Sequence, residues 1–168
     1  MKILLTAINS KFVHSNLAVR YLRAFTKDMP YECTIREFSI NDREEKILEE
    51  IIKEKPDVVA FSTYIWNVEM ISRLSELIKR VNPNIEILYG GPEVSYDSMI
   101  YLKENVGDYV IEGEGEQTFR EFVSYKLGEI DLKTIRGLVY KENGEVKFNG
   151  KRPLMSMDDL VFPYEEDE

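Results

Sequence analysis

Short apolar runs alternate with amphipathic segments of helical period five times in succession, and this alternation restricts the chain more than any other feature. Residues 3–7 form the first apolar run, which suits a buried strand. Leu17, Tyr21, Leu22 and Phe25 recur at helical spacing, which predicts a helix over residues 15–28 with Pro30 just beyond its end. Residues 34–38 make the second strand, and Asp42 is placed to cap a helix whose inward face is Ile47, Leu48, Ile51 and Ile52. Val58-Val59-Ala60-Phe61 is unbroken, as expected of a strand covered on both faces. Asn67 opens a third helix with Val68, Ile71, Leu74, Ile78 and Val81 on one side. Residues 85–89 give the fourth strand, ended by Gly90-Gly91-Pro92. A weaker helix follows near 96–105, and Tyr109-Val110-Ile111 is the fifth strand. The last helix, over 117–127, turns Phe119, Phe122 and Val123 inward.

Strict alternation of this kind predicts an α/β fold: a doubly wound, five-stranded parallel sheet of the flavodoxin-like or Rossmann-like type. Right-handed crossovers favour the strand order 2-1-3-4-5. The period changes after Gly128. Leu138 and Tyr140 alternate, Asn143-Gly144 supplies a two-residue turn, and Val146 and Phe148 alternate back, which predicts a β-hairpin. Beyond Lys151 no period remains, and the acidic end reads as a linker. The expected division is an α/β domain over 1–130, a hairpin extension over 131–151 and a linker over 152–168.

Charge and cysteine content narrow the function. With 22 basic and 31 acidic residues the formal charge is −9, which opposes a phosphate backbone, so nucleic acid is not an expected partner. No apolar run approaches the roughly 20 residues that cross a bilayer, and the opening run is too short for a signal-peptide core. No membrane association is expected, and the cytoplasm is the expected compartment. Cys33 is the single cysteine, so this chain cannot supply the several thiolates of an iron–sulfur cluster.

Ligands of open α/β sheets bind beyond the carboxyl ends of the strands. Here those ends fall at residues 7–14, 62–66, 90–93 and 112–115. No G-x-G-x-x-G follows the first strand, there is no Walker A run, and the acidic residues of a phosphoacceptor are replaced by Thr6-Ala7 and Ser62. What remains is small residues at three strand ends: Ser62 and Thr63, Gly90 and Gly91, Gly113 and Gly115. Each pair alone is explained by a tight turn. All three on one edge favour a crevice in which a bulky ligand approaches the backbone closely. A flavin- or nucleotide-binding protein of the flavodoxin-like class is one alternative, although residues 9–13 offer Ser10 and no glycine turn for a phosphate.

Three segments carry a resemblance: Phe61-Ser62-Thr63-Tyr64-Ile65-Trp66-Asn67, Tyr89-Gly90-Gly91-Pro92-Glu93 and Gly113-Glu114-Gly115-Glu116-Gln117-Thr118-Phe119. They resemble the cobalamin-binding domain of B12-binding radical SAM proteins, a family often labelled magnesium-protoporphyrin IX monomethyl ester oxidative cyclase-like. The hairpin from Gly137-Leu138-Val139-Tyr140 through Gly144, and Asp158-Asp159-Leu160-Val161-Phe162-Pro163-Tyr164, are similar to that family's link into the radical SAM barrel.

The resemblance implies a corrin lying across the strand ends with its nucleotide tail in a slot lined by Ser62, Thr63, Gly90 and Gly91. Asn9, Ser10 and His14 would lie near the lower face of the ring, and Pro92 and Glu93 would border it. Tyr64 and Trp66 would pack on the corrin or cap the core edge. Glu112, Glu114 and Glu116 would bond corrin amides, cap the following helix or face water. His14 stands where better-known cobalamin domains carry the cobalt-ligating histidine of Asp-x-His-x-x-Gly. Here that stretch reads Phe12-Val13-His14-Ser15-Asn16-Leu17, without the orienting carboxylate, so His14 is either a cobalt ligand or a loop histidine. The implied whole is a non-catalytic cobalamin module preceding a radical SAM barrel of the same polypeptide. That barrel would hold a [4Fe-4S] cluster and S-adenosylmethionine for radical methyl transfer or cyclase-type chemistry. The alternative is a cofactor-free structural domain that keeps the fold as a docking surface.

Overall fold

The unbroken apolar run at residues 58–61 becomes the centre of the sheet: every residue of β3 (Val58–Ser62) is buried. The structure is a computed structural model and describes residues 1–10 and 16–153. Ahead of β3 come β1 (Lys2–Asn9), α1 (Leu17–Phe25), β2 (Glu32–Ser39) and α2 (Glu44–Lys53). After it come α3 (Val68–Val81), β4 (Glu86–Gly90), α4 (Pro92–Ser95), α5 (Ser98–Glu104), β5 (Tyr109–Ile111) and α6 (Glu116–Lys126). The strands β6 (Leu138–Glu142) and β7 (Glu145–Phe148) end the described part.

The sheet has seven strands in the order β2-β1-β3-β4-β5-β6-β7. The first five are parallel in the expected order 2-1-3-4-5, and β6 and β7 add antiparallel to the β5 edge. Asn143 and Gly144 both take positive φ, 53° and 82°, as a two-residue hairpin turn requires. Helices cover both faces. On one, Leu4, Val59, Phe61 and Ile87 pack with Ile47 and Ile51 of α2 and Ile71, Leu74 and Ile78 of α3. On the other, Ile3, Leu5, Ala60 and Leu88 pack with Val19 of α1 and Phe119, Phe122 and Val123 of α6. Side chains of each strand alternate between these two cores, which is why near-continuous apolar runs were needed. No helix among the described residues is long and apolar enough to cross a membrane.

Four local details differ from the sequence expectation. Asp42 does not cap α2; Arg43 is the N-cap, and the Asp42 carboxylate instead accepts the Ser39 N–H at 2.8 Å, closing the turn after β2. The helix expected near 96–105 is α5, which starts after the N-cap Asp97 (φ −125°, ψ 56°), and a further short helix, α4, precedes it where only a strand-end loop was expected. Val81, expected inward, is 54% exposed at the last turn of α3. The first helix begins later than expected, capped by Asn16, whose Oδ1 accepts the Val19 N–H at 3.2 Å.

α1 buries only Val19 and Ala24 fully and is fastened at its ends by polar contacts. At its start, the Glu37 carboxylate on β2 accepts the Asn16 N–H at 2.7 Å and Asn9 Nδ2 at 3.2 Å, and pairs with Arg20 at 3.1 Å. At its end, Arg120 of α6 donates to the Phe25 carbonyl at 2.9 Å and to both oxygens of Asp28 at 2.7 and 2.8 Å.

Candidate functional site

Strand order reverses between β1 and β3, since the chain winds outward to β2 and then crosses back. In open α/β sheets that reversal, at the carboxyl ends, is where ligands bind. The structure opens a slot there, between α1 and the sheet, with a volume of about 50 Å³. Leu5, Ala60, Leu88 and Ile111 form its sheet wall, and Val19 and Leu22 its helical wall. Ser62 and Gly90 also line it. They are register partners at the last positions of β3 and β4, so they sit side by side. The Ser62 hydroxyl is buried and has no hydrogen-bond partner among the described residues. A side chain at Gly90 would meet nothing within 4 Å, so this glycine leaves open space.

Their sequence neighbours do different work. Thr63 is fully buried, and both its N–H (2.7 Å) and its hydroxyl (2.5 Å) donate to the Gly90 carbonyl. That hydroxyl ties β3 to β4 rather than facing the slot. Gly91 has φ 104°, and a Cβ there would lie 2.4 Å from the Thr63 carbonyl oxygen. Its bareness serves the close approach of two backbones. Pro92 and Glu93 are exposed at the start of α4.

On the rim, the Tyr64 and Trp66 rings stack on each other at 4.5 Å between centroids and 3° between planes. Trp66 Nε1 donates to the Ile8 carbonyl at 3.1 Å, which braces the pair against β1. Asn67, buried beneath them, accepts the Tyr64 N–H at 2.8 Å and donates to the carbonyls of Ile8 (2.9 Å) and Ser62 (3.1 Å). Leu17, Ile65, Trp66 and Tyr96 are exposed at this end of the sheet, a concentration of apolar surface around the slot. Ser10 is exposed, and Asn9 is engaged with Glu37. His14 lies outside the described residues, as does the stretch 158–164.

The segment after β5 borders a second, more polar cavity of about 250 Å³, shared by Glu112, Gly113, Glu114 and Gln117 with Lys151 and Arg152. Glu112 accepts the Ser98 hydroxyl, while Glu114 is exposed. Gly113 takes φ 78°, and Gly115 is the N-cap of α6 with Glu116 in its first turn. Arg152 donates to Thr118 Oγ1 at 2.9 Å and to Glu121 at 2.8 Å, so the chain leaving the hairpin is pinned along α6 beside this loop. Among the described residues no group of three or more His, Cys, Asp or Glu is arranged to hold a metal ion.

Sequence reasoning singled out Ser62 and Gly90 but missed the slot's walls and Glu37. The available signal for Glu37 was a carboxylate one residue from the end of the expected strand at 34–38, on the edge where ligands bind.

The sequence model of the B12 binding domain family matches residues 3–123. The chain belongs to the B12-binding domain family. Relatives of this B12-binding domain include an uncharacterized methyltransferase, PH0819, of Pyrococcus horikoshii, 34% identical over 115 residues (67% of this chain, 25% of that protein). Another is TokK of Streptomyces tokunonensis, a cobalamin-dependent radical SAM methyltransferase, 30% identical over 113 residues (66% of this chain, 17% of that protein). OxsB, solved with aqua-cobalamin and S-adenosylmethionine bound, superposes with a TM-score of 0.76 at 19% identity, covering 91% of this chain and 22% of that one. TsrM of Kitasatospora setae, solved with cobalamin and a [4Fe-4S] cluster, gives 0.72 at 18% identity, covering 98% of this chain and 31% of that one. At such identities the two structures establish the fold. The B12-binding domain spans a quarter or less of the length of the curated relatives it matches.

Proposed function

We propose that this chain is the cobalamin-holding module of a larger radical SAM enzyme, with the corrin across the rim and the nucleotide tail directed into the slot. The observation that carries this reading is the unpartnered Ser62 hydroxyl in a carbon-walled slot beside a bare Gly90. A buried hydroxyl without a partner costs about 1–3 kcal/mol, and a ring nitrogen of the tail's base would relieve that cost. The residues present therefore fit the group. Gly90 makes room, Ser62 donates, and the aliphatic walls shield the base from water. The exposed rim residues Leu17, Ile65, Trp66 and Tyr96 would rest against the macrocycle or the domain above it. Glu112 and Glu114, on the loop beside the slot, would receive corrin amides. When bound, cobalamin supplies the methyl-carrying or electron-carrying cobalt chemistry; this chain binds and orients it.

Methyl transfer is the activity in the relatives' names, and cyclase-type chemistry is the alternative for the full-length protein. In this reading a following domain holds the [4Fe-4S] cluster and S-adenosylmethionine.

The test is retention of corrin. Purified chain mixed with hydroxocobalamin and desalted is expected to keep about one corrin per chain with a shifted absorption band. The slot's width favours a second reading: about 50 Å³ is far below the roughly 300 Å³ of a formed ligand pocket, so a ring enters only as α1 moves outward. An unshifted spectrum with no retained corrin would therefore identify a cofactor-free docking domain.

A further inference from the structure

Away from the slot, β2 forms a free edge of the sheet: it pairs with β1 over eight positions, and among the described residues no strand lies beyond it. Edge strands are commonly blunted by shortness, proline or a bulge. β2 has none of these, being eight residues long, without proline or glycine, and in one unbroken register. The N–H groups of Glu32 and Ile40 donate to the Met1 and Asn9 carbonyls, both at 2.9 Å, so the even-numbered residues of β2 face β1. Cys33, Ile35 and Glu37 therefore aim their main-chain N–H and C=O groups outward. Side-chain burial marks the same edge: Leu5 of β1 is fully buried, while its register partner Ile35 is half-buried.

We propose that this edge pairs with β2 of a second copy of the chain, antiparallel about a two-fold axis at Thr34, so that two sheets join into one. A two-fold axis closes the assembly at a dimer. Outward main-chain groups must meet outward main-chain groups, which confines the axis to a residue rather than a peptide bond. With Thr34 on the axis, each Cys33 lies opposite the other copy's Ile35, and these pairs exchange about four main-chain hydrogen bonds. Each Glu32 then lies opposite the other copy's Arg36, on the face that carries α2. Both side chains can be reached, with 66% of Glu32 and 35% of Arg36 exposed. Neighbouring registers lose this match. An axis at Ile35 sets Glu32 against Phe38 and Cys33 against Glu37, and one at Arg36 sets two guanidinium groups against each other. An axis at Cys33 sets Glu32 against Thr34 and leaves Arg36 beyond the paired strands. The charge pattern of β2 thus fits its own reverse in one register, which is why the occupant is a second copy.

The test is sedimentation velocity of the 168-residue chain over a range of concentrations, in about 0.15 M salt so that the net charge of −9 is screened beyond about 8 Å. A concentration-dependent dimer is expected, unchanged by reductant because Cys33 does not face its own copy. In Glu32→Arg, two attractive pairs become repulsive by symmetry, and the dimer should weaken about tenfold. Arg36→Glu should do the same. An equimolar mixture of the two variants places opposite charges at both pairs again, so it should dimerise where each alone does not. Circular dichroism of the same samples separates a lost interface from a lost fold. If either variant unfolds, Thr34→Lys, which sets two ammonium groups on the axis, should give a folded monomer. A parent chain monomeric to about 100 µM would overturn the proposal and leave the edge to a strand of another protein. A dimer abolished by reductant would overturn it, as would one indifferent to Glu32→Arg or to Thr34→Lys. None of these outcomes bears on corrin retention, so this proposal and the corrin reading stand or fall separately.

Discussion

Alanine at Gly91 and alanine at Gly90 are one methyl group each, on adjacent residues, yet the structure assigns them opposite consequences. Gly91 has φ 104° and ψ 170°, a region that costs a side-chain-bearing residue about 1–3 kcal/mol. Its new Cβ would also sit 2.4 Å from the oxygen and 2.7 Å from the nitrogen of Thr63. Both are backbone atoms, so the β3 and β4 ends must separate. That separation endangers the two bonds from Thr63 to the Gly90 carbonyl, worth about 1 kcal/mol each. The total is about 3–5 kcal/mol, a large part of the 5–15 kcal/mol that holds a typical domain together. With a urea m-value of about 2 kcal/mol/M, the unfolding midpoint should fall by about 2 M. At Gly90 a methyl group meets nothing within 4 Å, so the midpoint should move by no more than about 0.5 M. The same methyl enters the slot next to Ser62, and corrin retention should fall although the fold stands. Urea unfolding followed by circular dichroism, with corrin retention measured on the folded samples, reads both effects. A midpoint for Gly91→Ala equal to that of the parent would refute the steric argument. Equal destabilisation by the two variants would refute the division of labour.

Two further outcomes follow from contacts around the site. Asn67→Ala removes three hydrogen bonds from a buried position and leaves the Tyr64 N–H and the Ser62 carbonyl without that partner; urea unfolding should show a loss of about 2–4 kcal/mol, and a loss below about 1 kcal/mol would refute the bracing role. The Arg120 guanidinium holds the Asp28 carboxyl down at about 2, below its ordinary 3.8. Because the folded value is the lower one, this contact stabilises the fold above about pH 4 and is lost as pH falls through about 2. Carboxyl-carbon NMR should show the Asp28 midpoint near 2, returning to the ordinary range in Arg120→Ala.

The order of the five parallel strands was legible because each is a short apolar run set between helices of clear period, and Val58–Phe61 fixed the centre by itself. Asn143-Gly144 likewise announced its hairpin. Its pairing with β5, which makes seven strands of five, joins Ile111 to Leu138 across an entire helix and leaves no trace in local spacing. The short helix α4 was hidden for another reason: its four residues, Pro92–Ser95, are too few to show a helical period, and they follow directly on the Gly90-Gly91 turn. At the site, sequence gave Ser62 and Thr63 one role, because both are small hydroxyl residues at a strand end. Alternation along the strand and the neighbouring Gly90 carbonyl divide them, leaving one hydroxyl free and the other engaged. The glycines of the pair divide in the same way, one leaving open space and one serving a backbone contact. Such distinctions depend on what lies across the sheet, which a single strand's residues do not encode.

The fastening of α1 has a consequence for how grip on a neutral molecule would respond to its medium. The helix that roofs the slot buries only two of its side chains fully and is clasped at its two ends by Glu37 with Arg20 and by Arg120 with Asp28. Dissolved ions weaken such clasps, the exposed Asp28 end most, while leaving the aliphatic lining untouched. An uncharged aromatic ring held beneath that roof would therefore leave faster in brine than in dilute buffer, although no charge touches it.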